Sequence, residues 1–293
     1  MTAYRGRFAP TPSGPLHLGS LLVAVASYLD ARSQGGTWLV RIDDIDPPRE
    51  VPGAATMQLH QLAAHGLHWD EQERYQSQRH PAYQAAVEQL LRAGHAFHCV
   101  LSRRDLTTLG GRHPGPACAV SPAPDRAVRL AVPARPIRFD DRLQGPQQLN
   151  LAEQEGPFVI RRRDGLFAYQ LACALDDADD SITDVLRGVD LLSSTHRQLH
   201  VLDCLGRPRP RYGHLPVLVD HYGVKLSKSA GSAALTSNVS ANLQQTLALL
   251  GLPPPRELHG APCPALLAWA IPRWRSSTLA ACQRITAPST GRR

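Results

Sequence analysis

The chain's only two lysines, Lys225 and Lys228, stand three residues apart in Lys225-Leu226-Ser227-Lys228-Ser229, while the rest of its 32 basic residues are arginines. A lysine ammonium is a compact charge on a flexible stem, whereas a guanidinium is a broad planar fork. A chain that uses arginine everywhere else and keeps lysine here needs the smaller group at this place. Gly223 and Gly231 flank the run, so a mobile basic loop is expected. Such a loop suits clamping the β- and γ-phosphates of a nucleotide and stabilising a departing pyrophosphate.

A second constellation lies near the N-terminus, in Pro10-Thr11-Pro12-Ser13-Gly14-Pro15-Leu16-His17-Leu18-Gly19-Ser20. It joins a strand pattern to a helical one, and a helix start offers unpaired N–H groups and a positive dipole end to an anion. Gly14 permits a tight turn, and Gly19 lets a ring or phosphate approach with no Cβ in the way. His17 offers a hydrogen bond to a phosphate oxygen as charge builds up in a transition state. Alone, the first segment is a basic loop and the second a turn; together, in one chain, they describe a nucleotide-activating site.

Those residues need a scaffold. Residues 4–9 read as a strand, and 20–33 carry Leu21, Leu22, Val25, Tyr28 and Leu29 at helical spacing. The Gly35-Gly36 turn follows, and 39–42 read as a buried strand. Strand, helix, glycine turn and strand form a βαβ unit and predict a parallel sheet, hence an α/β fold. Helical patterns follow over 54–65 and 81–93. Between 99 and 156 the chain turns Pro- and Gly-rich, with short β-rich pieces at 127–132 and 137–139, as an insertion interrupting the sheet would. Apolar patterning returns at 158–160 and 169–175. Residues 196–205 read as a helix and 215–219 as a buried strand leading into the lysine loop. Residues 242–250 read as a helix stopped by Gly251. The division expected is 1–98 for the first half of a nucleotide-binding core, 99–157 for the insertion, 158–235 for the second half with the lysine loop, and 236–293 for a helical C-terminal part whose tail, 287–293, is disordered.

Composition narrows the setting. No apolar run approaches the roughly 20 residues that cross a bilayer, and no apolar signal core follows Met1; a cytoplasmic protein without a membrane partner is expected. The net charge of +7 is compatible with a polyanionic partner without identifying one. The six cysteines are scattered with no CxxC spacing, so free thiols are expected rather than a disulfide framework.

The segments HLGS at 17–20 and KLSKS at 225–229 resemble the HIGH and KMSKS signatures of class I aminoacyl-tRNA synthetases, in the same order and at domain-scale separation. Further stretches resemble the glutamyl branch: Arg7-Phe8-Ala9-Pro10-Thr11, Arg41-Ile42-Asp43-Asp44-Ile45-Asp46-Pro47-Pro48-Arg49-Glu50, Asp164-Gly165-Leu166-Phe167-Ala168-Tyr169-Gln170-Leu171-Ala172 and Val185-Leu186-Arg187-Gly188-Val189-Asp190. The run from Asp46 to Ala54 and the Ser of HLGS are similar to the short members of that branch, which transfer glutamate to the queuosine base in the anticodon of tRNA(Asp). The resemblance covers about residues 7–229. Roughly sixty residues follow the lysine run, fewer than anticodon-binding domains occupy, which favours the short form.

The resemblance implies a Rossmann-like class I catalytic core with a parallel sheet, an inserted mixed α/β region of the family's acceptor-type or zinc-loop kind, and a small helical C-terminal part. It implies L-glutamate, ATP with Mg²⁺ held mainly by the phosphates, queuosine-containing tRNA(Asp), and a monomer. Arg7 and Arg187 would take the glutamate carboxylates by forked pairing, beside Phe8, Ala9, Pro10 and Thr11. Asp43, where the family usually has Glu, would hold the ammonium, and Tyr169 would add a hydroxyl. His17, Gly19, Ser20, Lys225 and Lys228 would hold ATP, with His17 and Lys228 acting in catalysis. The family's zinc site uses Cys-x-Cys, then a Tyr and a Cys. Here Cys99 and Cys118 remain, His113 stands near the Tyr position, and Leu101 replaces a ligand, so no metal site is expected. Three other readings stay open on the sequence: a truncated enzyme charging tRNA(Glu), a small-molecule adenylyltransferase or ligase, and an RNA-binding paralogue without chemistry.

Overall fold

β1 (Arg5–Phe8) leads into α1 (Leu18–Ser33), and β2 (Thr37–Ile42) returns parallel to β1, pairing Arg5 with Thr37 and Phe8 with Val40. This is the βαβ unit read from the sequence, in a computed structural model that describes residues 3–111, 113–123, 125–224 and 235–286. The lysine run at 225–229 and the tail at 287–293 lie outside the described residues. α1 buries Leu21, Leu22, Val25 and Leu29, and also Ala24, Ala26 and Ala31 on other sides. A helix apolar nearly all round must be covered on more than one side, and the C-terminal residues Leu243, Leu247, Leu267 and Trp274 share its core. Each large aliphatic side chain buried this way contributes about 1.5–3 kcal/mol.

The chain continues through α2 (Ala54–Ala64), the two-residue strand β3 (Arg74–Tyr75) and α3 (His80–Arg92). Next come β4 (Ala96–Cys99), α4 (Arg103–Thr108), β5 (Ala127–Leu130), β6 (Ile137–Asp141), β7 (Gly145–Leu149), α5 (Leu151–Gln154) and β8 (Phe158–Arg161). β4, β5 and β8 form a separate antiparallel sheet, and β6 and β7 an antiparallel hairpin. Among the described residues the strands here are short and no helix is long, as the Pro- and Gly-rich sequence dictates.

α6 (Tyr169–Asp179), β9 (Asp184–Gly188), α7 (Leu192–Leu205) and β10 (Arg211–Leu215) return the chain to the main sheet, whose order is β10-β9-β1-β2-β3, every pair parallel. From β1 the first half of the chain winds to one side, and the second half fills the other, so the order reverses between β1 and β9. In open parallel sheets the crevice at that reversal, at the carboxyl ends of the strands, is where ligands bind. Side chains alternate across the sheet: Phe8 and Leu186 face the core around α1, while Val185 faces the core around α3, α6 and α7.

The strand expected over 215–219 is instead two. Pro216 has no N–H to give a ladder, and the chain leaves the main sheet there: β11 (Val217–Val219) pairs in parallel with β12 (Arg284–Thr286). α8 (Val239–Leu249) and α9 (Cys263–Ala270) complete the chain's helical C-terminal part. A buried carboxylate ties these layers together. Asp30 of α1 accepts hydrogen bonds from Tyr4 Oη at 2.7 Å, Arg142 Nη1 at 2.8 Å and Trp274 Nε1 at 2.9 Å. Burial raises its pKa, and the Arg142 guanidinium more than offsets that, so it is held below the usual carboxylate value. All six cysteines are free thiols, and among the described residues no helix is long and apolar enough to cross a membrane.

Candidate functional site

A cavity of about 470 Å³ lies at the carboxyl ends of β1 and β9, the reversal point of the sheet. Its lining includes Arg7, Phe8, Ala9, Pro10 and Thr11 from the end of β1, His17, Gly19 and Ser20 at the start of α1, Tyr169 from the first turn of α6, and Arg187 from β9. These residues were separated by up to 180 positions in the chain, and the fold brings them to one space. Asp43 does not line the cavity. Lys225 and Lys228 lie outside the described residues, but β11, which precedes them, lends Val217 and Leu218 to the cavity wall.

Tyr169, Cys173, Asp176 and Asp177 lie on one face of α6 at i, i+4, i+7 and i+8, turned to the arginines of β1 and β2. Arg7 donates from Nε and Nη2 to the two oxygens of Asp177, both at 3.0 Å; its Nη1 makes no hydrogen bond among the described residues. Arg41 donates to Asp177 Oδ1 at 2.6 Å and to Asp43 Oδ1 at 2.7 Å. Gln76 and Tyr83 donate to Asp176. Burial opposes charge on Arg7, Arg41, Asp43 and Asp177, and the pairing decides the outcome. Asp177, between two guanidiniums, is held well below the usual carboxylate range, and Arg7 and Arg41 are held above their ordinary value. Asp43 is the exception: burial pushes it up to about 6, despite Arg41. The Tyr169 hydroxyl is pushed upward by burial and stays neutral.

Arg187, also buried, donates from Nη2 to Thr195 Oγ1 at 2.7 Å and from Nε to His214 Nε2 at 3.2 Å. Its Nη1 is buried and has no hydrogen-bond partner among the described residues. A buried donor left unpaired costs about 1–3 kcal/mol, a cost that an anionic ligand in the cavity would remove.

The nucleotide-type turn is built more tightly than the sequence reading had it. His17 is the N-cap of α1: Nδ1 accepts the backbone N–H groups of Gly19 at 3.1 Å and Ser20 at 3.3 Å, while the His17 N–H donates to Ser20 Oγ at 2.8 Å. Since Nδ1 accepts, the proton of the neutral ring is on Nε2. A Cβ on Gly19 would stand 3.0 Å from His17 Cε1, so this glycine makes room for the imidazole as well as for a ligand. Gly14 has φ +117°, the left-handed region that glycine adopts without strain. α2 braces the turn: Gln58 Nε2 donates to the carbonyls of Thr11 and Gly14, and Gln61 Oε1 accepts from the Leu16 N–H.

Gln58, Gln61, Arg41, Asp177, Thr195, Asp141 and His214 are the site's supports that sequence reasoning did not single out. Most of the pairs they form join residues far apart in the chain, and only Arg41 stood inside a recognised stretch.

Away from the cavity, Cys99, His113 and Cys118 bring their ligand atoms within 4.8 Å of one another. Cys99 Sγ lies 3.2 Å, and Cys118 Sγ 3.7 Å, from His113 Nε2. At position 101 the chain offers only the Leu101 backbone N–H, which donates to Cys99 Sγ at 3.3 Å. Closed structural zinc sites use four protein ligands, and among the described residues this group offers three.

The family described as "tRNA synthetases class I (E and Q), catalytic domain" matches residues 3–118 and 120–250. A glutamyl-Q tRNA(Asp) synthetase of Pseudomonas aeruginosa is 50% identical over 283 residues, covering 96% of this chain and 97% of its own. One of Methylococcus capsulatus is 48% identical over 286 residues, covering 96% and 95%. Among solved structures, a glutamate-tRNA synthetase from Elizabethkingia anophelis superposes with a TM-score of 0.81 at 24% identity, over 97% of this chain and 68% of that one; at that identity the likeness speaks for the fold.

Proposed function

We propose that this chain, which belongs to the class I tRNA synthetase family for glutamate and glutamine, activates L-glutamate with ATP without needing tRNA and transfers it to the queuosine base in the anticodon of tRNA(Asp). The observation that carries the reading is the cavity at the sheet's reversal point, with a capped helix start on one side and an arginine holding an unpaired buried donor on the other. The identity to glutamyl-Q tRNA(Asp) synthetases over nearly the whole of both chains favours this acceptor over tRNA(Glu).

In this reading Arg187 Nη1 and Arg7 Nη1 meet the glutamate carboxylates, with Tyr169 beside them. Asp43, behind the wall, attracts the ammonium through the site's field or a water. The α-carboxylate oxygen attacks the α-phosphorus of ATP, the bond to the β-phosphate oxygen breaks, and pyrophosphate leaves, giving glutamyl-adenylate. No covalent enzyme intermediate is needed; catalysis is positioning and charge stabilisation. His17 Nε2–H and the start of α1 stabilise phosphate charge, while Lys225 and Lys228 neutralise the departing pyrophosphate and Mg²⁺ is held mainly by phosphate oxygens. An acceptor group on the queuosine base then attacks the mixed anhydride and releases AMP.

The test is glutamate-dependent exchange between labelled pyrophosphate and ATP in the absence of tRNA, for wild type and Lys228→Ala. Exchange in the wild type, lost in the variant, is expected. Exchange that appears only when tRNA(Glu) is added would assign the chain to tRNA(Glu) charging instead.

A further inference from the structure

The guanidinium of Arg187 is oriented by acceptors from two separate segments, β10 and the start of α7. Nε–H is taken by His214 of β10; Nη2 donates to Thr195 of α7 and, at 3.4 Å, to the Leu191 carbonyl. With those donors occupied, Nη1 remains, buried and without a partner among the described residues, to meet a carboxylate.

The contact from His214 works in only one protonation state. Arginine can only donate, so His214 Nε2 must carry a lone pair, and the ring proton must be on Nδ1. Asp141 secures that tautomer: its Oδ2 accepts from His214 Nδ1 at 2.5 Å, both side chains wholly buried. Asp141 Oδ1 is fixed in turn by the backbone N–H groups of Leu143 and Gln144, both at 2.9 Å, at the tip of the β6–β7 hairpin.

We infer that His214 is a positioning residue for glutamate recognition, locked by Asp141 as the Nδ1–H tautomer so that it aims the Arg187 guanidinium at a substrate carboxylate. The inference rests on the functional reading above and deepens it. The inserted hairpin thereby acquires a part in substrate selection, since the group that sets the tautomer is at its end. Burial, with Arg187 and Arg7 nearby, holds the His214 pKa below its ordinary value although Asp141 pulls the other way, which keeps the ring neutral. A ring with its proton on Nε2 would set donor against donor beside a cation, and Arg187 would lose its register.

The experiment is calorimetric binding of L-glutamate and, separately, of ATP to wild type, His214→Phe, His214→Gln and Asp141→Asn. The Gln side chain reaches the Nε2 position with a carbonyl oxygen that accepts from Arg187, so it is expected to keep most of the affinity and to show that the site tolerates a change here. His214→Phe removes the acceptor, and Asp141→Asn puts a donor against Nδ1 and moves the ring proton to Nε2. Both are expected to weaken glutamate roughly ten- to a hundredfold, the worth of a buried charge-assisted hydrogen bond, with ATP affinity unchanged. Wild-type glutamate affinity retained in His214→Phe and Asp141→Asn, or equal loss for ATP, would overturn the positioning role while leaving the activity intact. A wild type that binds no glutamate would overturn the functional reading and this inference with it.

Discussion

Arg7, Arg41, Asp43 and Asp177 are buried together beside the cavity, and their charges nearly balance by pairing. Asp43 is the member with least compensation, since it shares Arg41 with Asp177, and burial brings its pKa to about 6. An ionised Asp43 attracts the substrate ammonium and a protonated one does not. The KM for glutamate is therefore expected to stay flat well above that pH and to rise as pH falls through about 6. Asp43→Asn is expected to give a raised KM with that limb removed, read from pyrophosphate exchange as a function of pH; a variant profile parallel to the wild type would contradict the role. At this scale the sequence picked out residues that line the cavity where they stood in a motif, as His17, Gly19 and Arg187 did. It was silent where function depends on a partner, as in Arg7 with Asp177, 170 positions away. His214 drew no reading because nothing local marks Asp141, 73 positions away, which takes its Nδ1 proton.

Among the elements, α1 was read correctly because its apolar residues recur at helical spacing, and β2 because a short apolar run follows a glycine turn. β10 was missed: Arg211-Tyr212-Gly213-His214-Leu215 is buried through Tyr212 and His214, which carry polar atoms and give no apolar run. α9 was missed because it is apolar on most sides and shows no stripe against polar residues. What α1 contributes beyond apolar area is Asp30, which joins it to Tyr4, the hairpin residue Arg142 and the C-terminal Trp274. Asp30→Ala leaves Arg142 and the tyrosine hydroxyl without their main acceptor, and breaking a buried pair from one side costs about 3–5 kcal/mol. Chemical denaturation is expected to show a loss of that size; a change within about 0.5 kcal/mol, as at an unremarkable surface site, would show that the cluster does not hold these layers.

For the whole molecule, strand order explains why residues from both ends of the sequence meet. The reversal between β1 and β9 creates the crevice, and the two halves of the core each supply part of its wall. The α/β class was legible from the sequence. The strand order was not, because it depends on pairings between distant segments, and neither was the departure of β11 to pair with β12. The family and fold speak for an ATP-dependent ligase, and the acceptor is the part of the account most specific to this chain. The direct test is transfer of labelled glutamate, with ATP, to tRNA(Asp) with queuosine at the anticodon, tRNA(Asp) lacking it, and tRNA(Glu). Label on the queuosine-containing tRNA(Asp) alone is the predicted result; label on tRNA(Glu), with none on tRNA(Asp), would contradict the account.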